Sequence, residues 1–170
     1  MKKLYFTFIA LTSFLFLSQS TMAQDVNTSF QEGDVVINAG LGLGTTFAFT
    51  GSLGIPLGGG VEYGITDAIG VGGEAGFASG GGLTVFYIGA KGSYHFNDLF
   101  NIEDEAWDVY GGLGLYYRSF NVSGINFGLG SGITAGIHAG ARYYFSDSFG
   151  VYAELGNSYA WLKAGVVLKL

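Results

Sequence analysis

The chain has no cysteine, which excludes both a disulfide framework and thiolate chemistry. Charge is also scarce. Asp, Glu, Lys and Arg make up 12 % of the residues, whereas an ordinary soluble domain carries about 25 %. Bases are the scarcest group: beyond residue 23 only Lys91, Arg118, Arg142, Lys163 and Lys169 stand against thirteen acids, a net charge of −8. Nucleic acid is excluded as a partner, because its recognition needs a basic stripe or patch. Beyond residue 23 no run reaches the roughly 20 consecutive apolar residues of a membrane-spanning helix, and 3.6-residue periodicity is missing there. A membrane is not thereby excluded, since a spanning strand needs only about 9–11 residues of weak alternation.

Glycine (31 residues) and aromatics (16 %) are abundant in the 170 residues, a length that suits one domain. Residues 1–23 read as an export signal: Lys2 and Lys3 precede an apolar run from Leu4 to Leu17, and Thr21-Met22-Ala23 offers a small-residue cleavage site. Residues 24–34 then form an N-terminal segment, expected in the periplasm, and 35–170 the folded domain. In that domain eight alternating segments are expected, at about 35–49, 57–66, 69–78, 83–96, 107–118, 132–145, 149–157 and 159–170. Short links join them, so the predicted fold is all-β: an eight-stranded antiparallel up-and-down meander.

Each segment has two unlike faces. In "NAGLGLGTTFAF" (38–49), Leu41, Leu43, Phe47 and Phe49 share one parity, and the other is mostly glycine. Charged residues keep the parity opposite the apolar row: Arg142 opposes Ile133, Ile137, Tyr143 and Phe145, while Lys163 and Lys169 oppose Leu162, Val166 and Leu168. A solvated sheet face would be rich in Thr, Lys, Glu and Arg; this one is glycine punctuated by tyrosine and single charges. Glycine covers a wet surface poorly but suits a narrow lumen. Aromatics gather near segment ends, as interfacial girdles do. The apolar row is therefore expected to face lipid, making the fold a transmembrane β-barrel.

In hydrocarbon an open sheet edge leaves backbone groups unsatisfied at several kcal/mol each, so the first segment must pair with the last. Ions in so small a lumen must be paired. An internal network of Glu62, Glu74, Lys91, Asp108, Arg118, Arg142, Glu154, Lys163 and Lys169 is expected, with Arg142, Glu154 and Lys163 as its closest group. Glu62 and Glu74 are expected nearly opposite one another, each needing a base from across the lumen or one staying protonated.

The signal segment, "IHAGARYYFSDSFGVYAELG" (137–156) and the terminal "WLKAGVVLKL" resemble the small eight-stranded outer-membrane barrels of the OmpX, OmpW and OmpA-barrel type, particularly the Gly- and Tyr-rich sequences common in Bacteroidota. The resemblance covers the whole mature chain. It implies location in the outer membrane of a Gram-negative cell, outer-membrane lipid as surroundings, the barrel-assembly machinery as a partner during biogenesis, and no cofactor. Such proteins commonly end in an aromatic residue, and here the last residue is Leu170. No peptidoglycan-binding domain is expected after the last strand.

Other candidates carry less. His95 and His138, the only histidines, read as lumen hydrogen-bonding groups, since no third ligand accompanies them. Ser131 near His138 suggests a nucleophile and base only weakly. "GVGGEA" (70–75) and "GSGITA" (130–135) match a phosphate-loop pattern, but neither opens a helix. "NIEDEAWD" (101–108) lacks the ligand order of a calcium loop and reads as a solvated turn. "SFNVSGINFGLGSG" (119–132) is an uncharged outer loop, or an extension of its hairpin. The functional expectation is a barrel with a side-chain-filled lumen, a structural or interaction role and no enzymatic activity. The alternatives are a narrow channel or lateral conduit for a small hydrophobic ligand, and a secreted soluble barrel.

Overall fold

The computed structural model describes residues 30–44, 54–122 and 131–170. Eight strands close into one barrel in sequence order: β1 (Val35–Leu43), β2 (Leu57–Thr66), β3 (Ile69–Gly80), β4 (Leu83–His95), β5 (Trp107–Val122), β6 (Gly132–Tyr144), β7 (Phe149–Gly156) and β8 (Leu162–Lys169). All neighbours are antiparallel, and β1 pairs with β8 from Val36↔Lys169 to Leu43↔Leu162. The predicted closure is thus present. Among the described residues no helix is long and apolar enough to cross a membrane.

The connections follow from their residues. Gly81 and Gly82, at φ 59° and 80°, supply the two left-handed positions of a tight two-residue hairpin, which lets β3 and β4 pair up to Gly80↔Leu83. The Thr66 hydroxyl accepts the N–H groups of Ala68 (3.3 Å) and Ile69 (3.0 Å) in the β2–β3 turn. The β4–β5 link contains a single helical turn, α1 (Asn97–Phe100), closed by Asn101 at φ 50°. Helical periodicity could not announce a four-residue element.

Two strand boundaries differ most from the sequence reading, and the N-terminal segment joins the barrel. β5 runs on to Val122, paired with Leu83, so residues 119–122 extend the hairpin; residues 123–130 lie outside the described ones, as do 45–49 of the first predicted strand. β8 starts at Leu162, because residues 158–160 turn inward: Ser158, Tyr159 and Ala160 are all buried. Residues 30–34 are not a free tail. Gly33 N–H donates to Gly64 C=O (2.9 Å), Gly64 N–H to Asp34 C=O (2.9 Å) and Glu32 N–H to the Asp67 carboxylate (2.9 Å), which swings Phe30 into the barrel mouth, where it is buried.

The two faces sort as predicted. Leu113 (69 % exposed), Ile137 (67 %) and Leu155 (62 %) point outward, while Arg142 (1 %), Glu62 (0 %) and Lys163 (1 %) are buried inside. A soluble barrel requires the reverse, since exposed apolar surface on this scale has no place in water.

Candidate functional site

The lumen is a stack of layers. At the end carrying the β2–β3, β4–β5 and β6–β7 turns, Phe30, Val36, Tyr144 and Val167 form an apolar floor. Above it lies a first charged layer. Arg142 on β6 pairs with Glu62 on β2, four strands away and so diametrically across an eight-stranded ring, and with Asp108 on the adjacent β5 at 2.9 Å. His95 Nδ1 lies 2.6 Å from Asp108, and its Nε2 is 3.7 Å from Glu62.

Tyr110 joins this layer to the next. Its ring lies under the Arg142 guanidinium, 4.3 Å from centroid to Cζ, and its hydroxyl donates to Glu154 at 3.0 Å. The second layer holds Glu154, Glu74, Lys91 and Lys163. Lys91 is 2.9 Å from Glu154 and 3.9 Å from Glu74; Lys163 pairs with Glu154 and is 2.6 Å from Glu74. Lys163 also donates to the Ser158 hydroxyl at 2.8 Å. A roof of Tyr87, Tyr116, Tyr159 and Ala160 follows.

Glycine makes room for these side chains. A Cβ on Gly58 or Gly76 would come within 2.6 and 2.7 Å of the Tyr159 ring, and one on Gly136 within 2.6 Å of Tyr116. The glycine parity of the strands is the negative image of the tyrosines that fill the bore.

Seven of the nine residues expected in a network belong to these two layers. Lys169 does not: it sits at the mouth, partly exposed, 4.0 Å from Asp34. Arg118 is half-buried near the opposite mouth, level with Tyr87 in the β4–β5 ladder and outside both clusters. The expected group of Arg142, Glu154 and Lys163 is split. The register sets Arg142 opposite Tyr152 and Glu154 opposite Lys163, so Arg142 belongs one layer lower. Glu62 and Glu74 are likewise not opposite; Glu62 faces Gly72 and Glu74 faces Gly60, and each meets a base from across the lumen.

Sequence reasoning did not foresee His95 inside an ion layer, or the Phe30 and Tyr159 inserts. The signal for the latter was the pair of facing glycines, Gly58 and Gly76, an empty seat in the wall. His138 contacts Ser93 (3.1 Å), and the Ser131 hydroxyl accepts the Phe120 N–H (3.5 Å). Seven residue steps of extended chain, about 23 Å, separate Ser131 from His138, so no nucleophile–base pair forms between them. "GVGGEA" lies within β3. In the acidic turn, the Asp104 carboxylate accepts the Ala106 N–H. Among the described residues no three acidic, His or Cys side chains converge as metal ligands.

No family model matches the chain, and no curated protein matches it in sequence. Solved structures do match. The N-terminal β-barrel domain of Pseudomonas aeruginosa OprF aligns with a TM-score of 0.58 at 21 % identity, over 82 % of this chain and 98 % of that one. A de novo designed transmembrane β-barrel gives 0.55 at 17 % identity, over 82 % and 98 %. The outer membrane protein OprG of Pseudomonas aeruginosa gives 0.55 at 13 % identity, over 84 % and 99 %. The fold is that of a small eight-stranded transmembrane barrel. In such a barrel the outward leucines and isoleucines meet acyl chains, and the ion layers belong to a core shielded from lipid and water alike.

Proposed function

We propose that this protein is an integral barrel of the bacterial outer membrane, exported by residues 1–23, with a lumen that is a structural core and a role exerted at its lipid-facing and loop surfaces without catalysis. The observation that carries this reading is the continuous filling of the bore: apolar floor, four-residue ion layer, Tyr110, second ion layer, tyrosine roof. The likeness to OprG, an outer membrane protein by description, supports the location, and the outward apolar row supports lipid as the barrel's constant partner. Assembly would depend on the barrel-assembly machinery, with β8 closing the barrel onto β1, where Leu170 N–H donates to Val35 C=O at 2.9 Å.

The test is fractionation with gel mobility. Recovery in the outer membrane as a species whose mobility changes on boiling, with no steady conductance in planar bilayers, is the expected result. Recovery in the aqueous phase overturns the location, and a steady single-channel current overturns the filled bore.

One observation favours the second reading, a site for a small hydrophobic molecule. A groove of about 670 Å³ borders Leu113, Leu115, Ile137 and Asn157 on β5, β6 and the end of β7. There β7 stops pairing with β6 at His138↔Gly156, and the Asn157 amide takes over by accepting the Ile137 N–H at 2.7 Å. Saturable binding of a small apolar probe, abolished by Ala135→Trp on the same groove wall, would support it.

A further inference from the structure

We propose that the β4–β5 connection is a membrane foot: a rigid loop that lays Leu99 and Phe100 on the headgroup and glycerol zone of the leaflet at the short-turn end of the barrel. The proposal rests on the membrane reading above and concerns residues 97–100, which precede the largely exposed acidic turn at 101–108.

Leu99 and Phe100 are 63 % and 60 % exposed, although they lie beyond the end of β4. They continue the lipid-facing wall. Tyr94 has the outward parity of β4, its ring lies 5.1 Å from that of Phe96, and Phe96 stacks on Phe100 at 5.4 Å. Phe96 also covers the outward face of Gly111, where a Cβ would meet its ring at 3.3 Å. The apolar surface therefore runs unbroken from wall to loop. At the same end the run Trp107, Tyr143, Phe145 and Phe149 extends across β5 to β7, with successive centroids 5.0, 5.4 and 6.3 Å apart. Aromatic rings with one apolar and one wet side settle at this depth of a bilayer.

The loop is also built to tolerate a poorly hydrated setting. Phe96 N–H donates to Val109 C=O (2.8 Å), Phe100 N–H to Phe96 C=O (2.9 Å), Ile102 N–H to Asn97 C=O (2.9 Å) and Trp107 N–H to Asp104 C=O (3.0 Å). Buried Asn97 fastens the loop to β5: its carbonyl oxygen accepts the Val109 N–H at 2.8 Å, and its amide donates to Trp107 C=O. A backbone with its hydrogen bonds made internally loses little on approaching lipid. A rigid loop also gives up little conformational entropy when its side chains are buried. A phospholipid surface fits better than a protein partner, because this patch shares one surface with a wall already immersed in lipid.

The absence of native cysteine makes the test direct. Full-length single-site variants Leu99→Cys, Phe100→Cys, Leu113→Cys and Asp147→Cys are refolded into phosphatidylcholine vesicles and labelled with a polarity-sensitive fluorophore. Folding of each is checked by gel mobility before and after boiling. Quenching is then compared between lipids spin-labelled at the headgroup, lipids spin-labelled deep in the chain, and aqueous iodide. Leu113 is the mid-wall reference, and exposed Asp147 in the β6–β7 turn is the solvated reference at the same end. The expected result is severalfold stronger headgroup-lipid quenching and severalfold weaker iodide quenching at positions 99 and 100 than at 147. If 99 and 100 behave like 147 while 113 is quenched by deep-labelled lipid, the foot is overturned, the membrane reading stands, and the knob is left free for a soluble protein partner. If 113 escapes lipid quenching as well, the membrane reading fails and the foot fails with it.

Discussion

The Phe30 ring lies parallel to the His95 imidazole, with 3.5 Å between centroids and 7° between planes. Through this contact the N-terminal segment is part of the lumen core, sealing the lower ion layer from the aqueous side of the mouth. Phe30→Ala opens a gap in the floor and leaves a void against His95, at a cost of roughly 3–5 kcal/mol for a buried Phe-to-Ala change. Glu32→Ala, at an exposed neighbour engaged only through its backbone N–H, stays within about 0.5 kcal/mol. Equilibrium unfolding of both variants in detergent micelles by urea measures the difference. Equal midpoints would show that the segment merely rests in the mouth.

The lower ion layer is asymmetric in charge: two carboxylates, Glu62 and Asp108, share one guanidinium, Arg142, and a fourth member, His95, faces both acids. Arg142→Ala leaves both acids buried with only the imidazole for company, and breaking such a pair costs about 3–5 kcal/mol. Removing an acid together with the base, as in Arg142→Met with Glu62→Gln, leaves Asp108 and His95 as a one-to-one pair and recovers much of that loss. Lys169→Ala, which breaks a partly exposed contact with Asp34 at 4.0 Å, costs less than about 1 kcal/mol. A double-mutant cycle read by unfolding free energies separates the three cases. Additive losses for Arg142 and Glu62 would contradict their pairing across the bore.

The sequence states the parity rule plainly. One face of every strand carries leucine, isoleucine and valine, and the other carries glycine, tyrosine and isolated charges; from that alone the closed barrel and its inside-out sense follow. Register is another matter. A two-residue slip leaves every parity intact but moves Arg142 from the level of Glu154 to that of Tyr152, which is why seven members of the ion layers were legible but not their grouping. Non-strand inserts were also hidden. Phe30 and Tyr159 obey no period, and only the empty seats at Gly58 and Gly76 marked where one of them goes.

Those seats carry a prediction of their own. At Gly136 an added methyl would lie 2.6 Å from the Tyr116 ring and 2.9 Å from the Asn157 amide oxygen. Tyr116 is held between Tyr87, 4.6 Å away, and the wall, so it cannot swing clear. Gly136→Ala is therefore destabilising by about 1–3 kcal/mol, as overpacking generally is. Gly73→Ala, whose methyl points outward and approaches only the Gly89 carbonyl oxygen at 3.5 Å, is tolerated. Adding Tyr116→Leu to Gly136→Ala shrinks the occupant and restores part of the loss. If the second change only deepens the defect, the seat is not what Gly136 provides.

The outward face is tested by depth. Leu113 and Ile137 are ladder partners near mid-wall, and both are about two-thirds exposed (69 % and 67 %). A lysine at either position must carry its ammonium into the middle of the hydrocarbon, at about 2–4 kcal/mol. Phe149, at the start of β7 and in the aromatic run of the short-turn end, lies where lysine can reach headgroups, and Phe149→Lys costs about 0–1 kcal/mol. Folding free energies into phospholipid vesicles should therefore fall steeply from Phe149→Lys to Leu113→Lys and Ile137→Lys. In a water-facing sheet, lysine at exposed positions changes stability by no more than about 0.5 kcal/mol wherever it is placed. A flat profile along the wall would thus contradict the assignment of faces, since depth matters only when the surroundings change from water to oil along the strand.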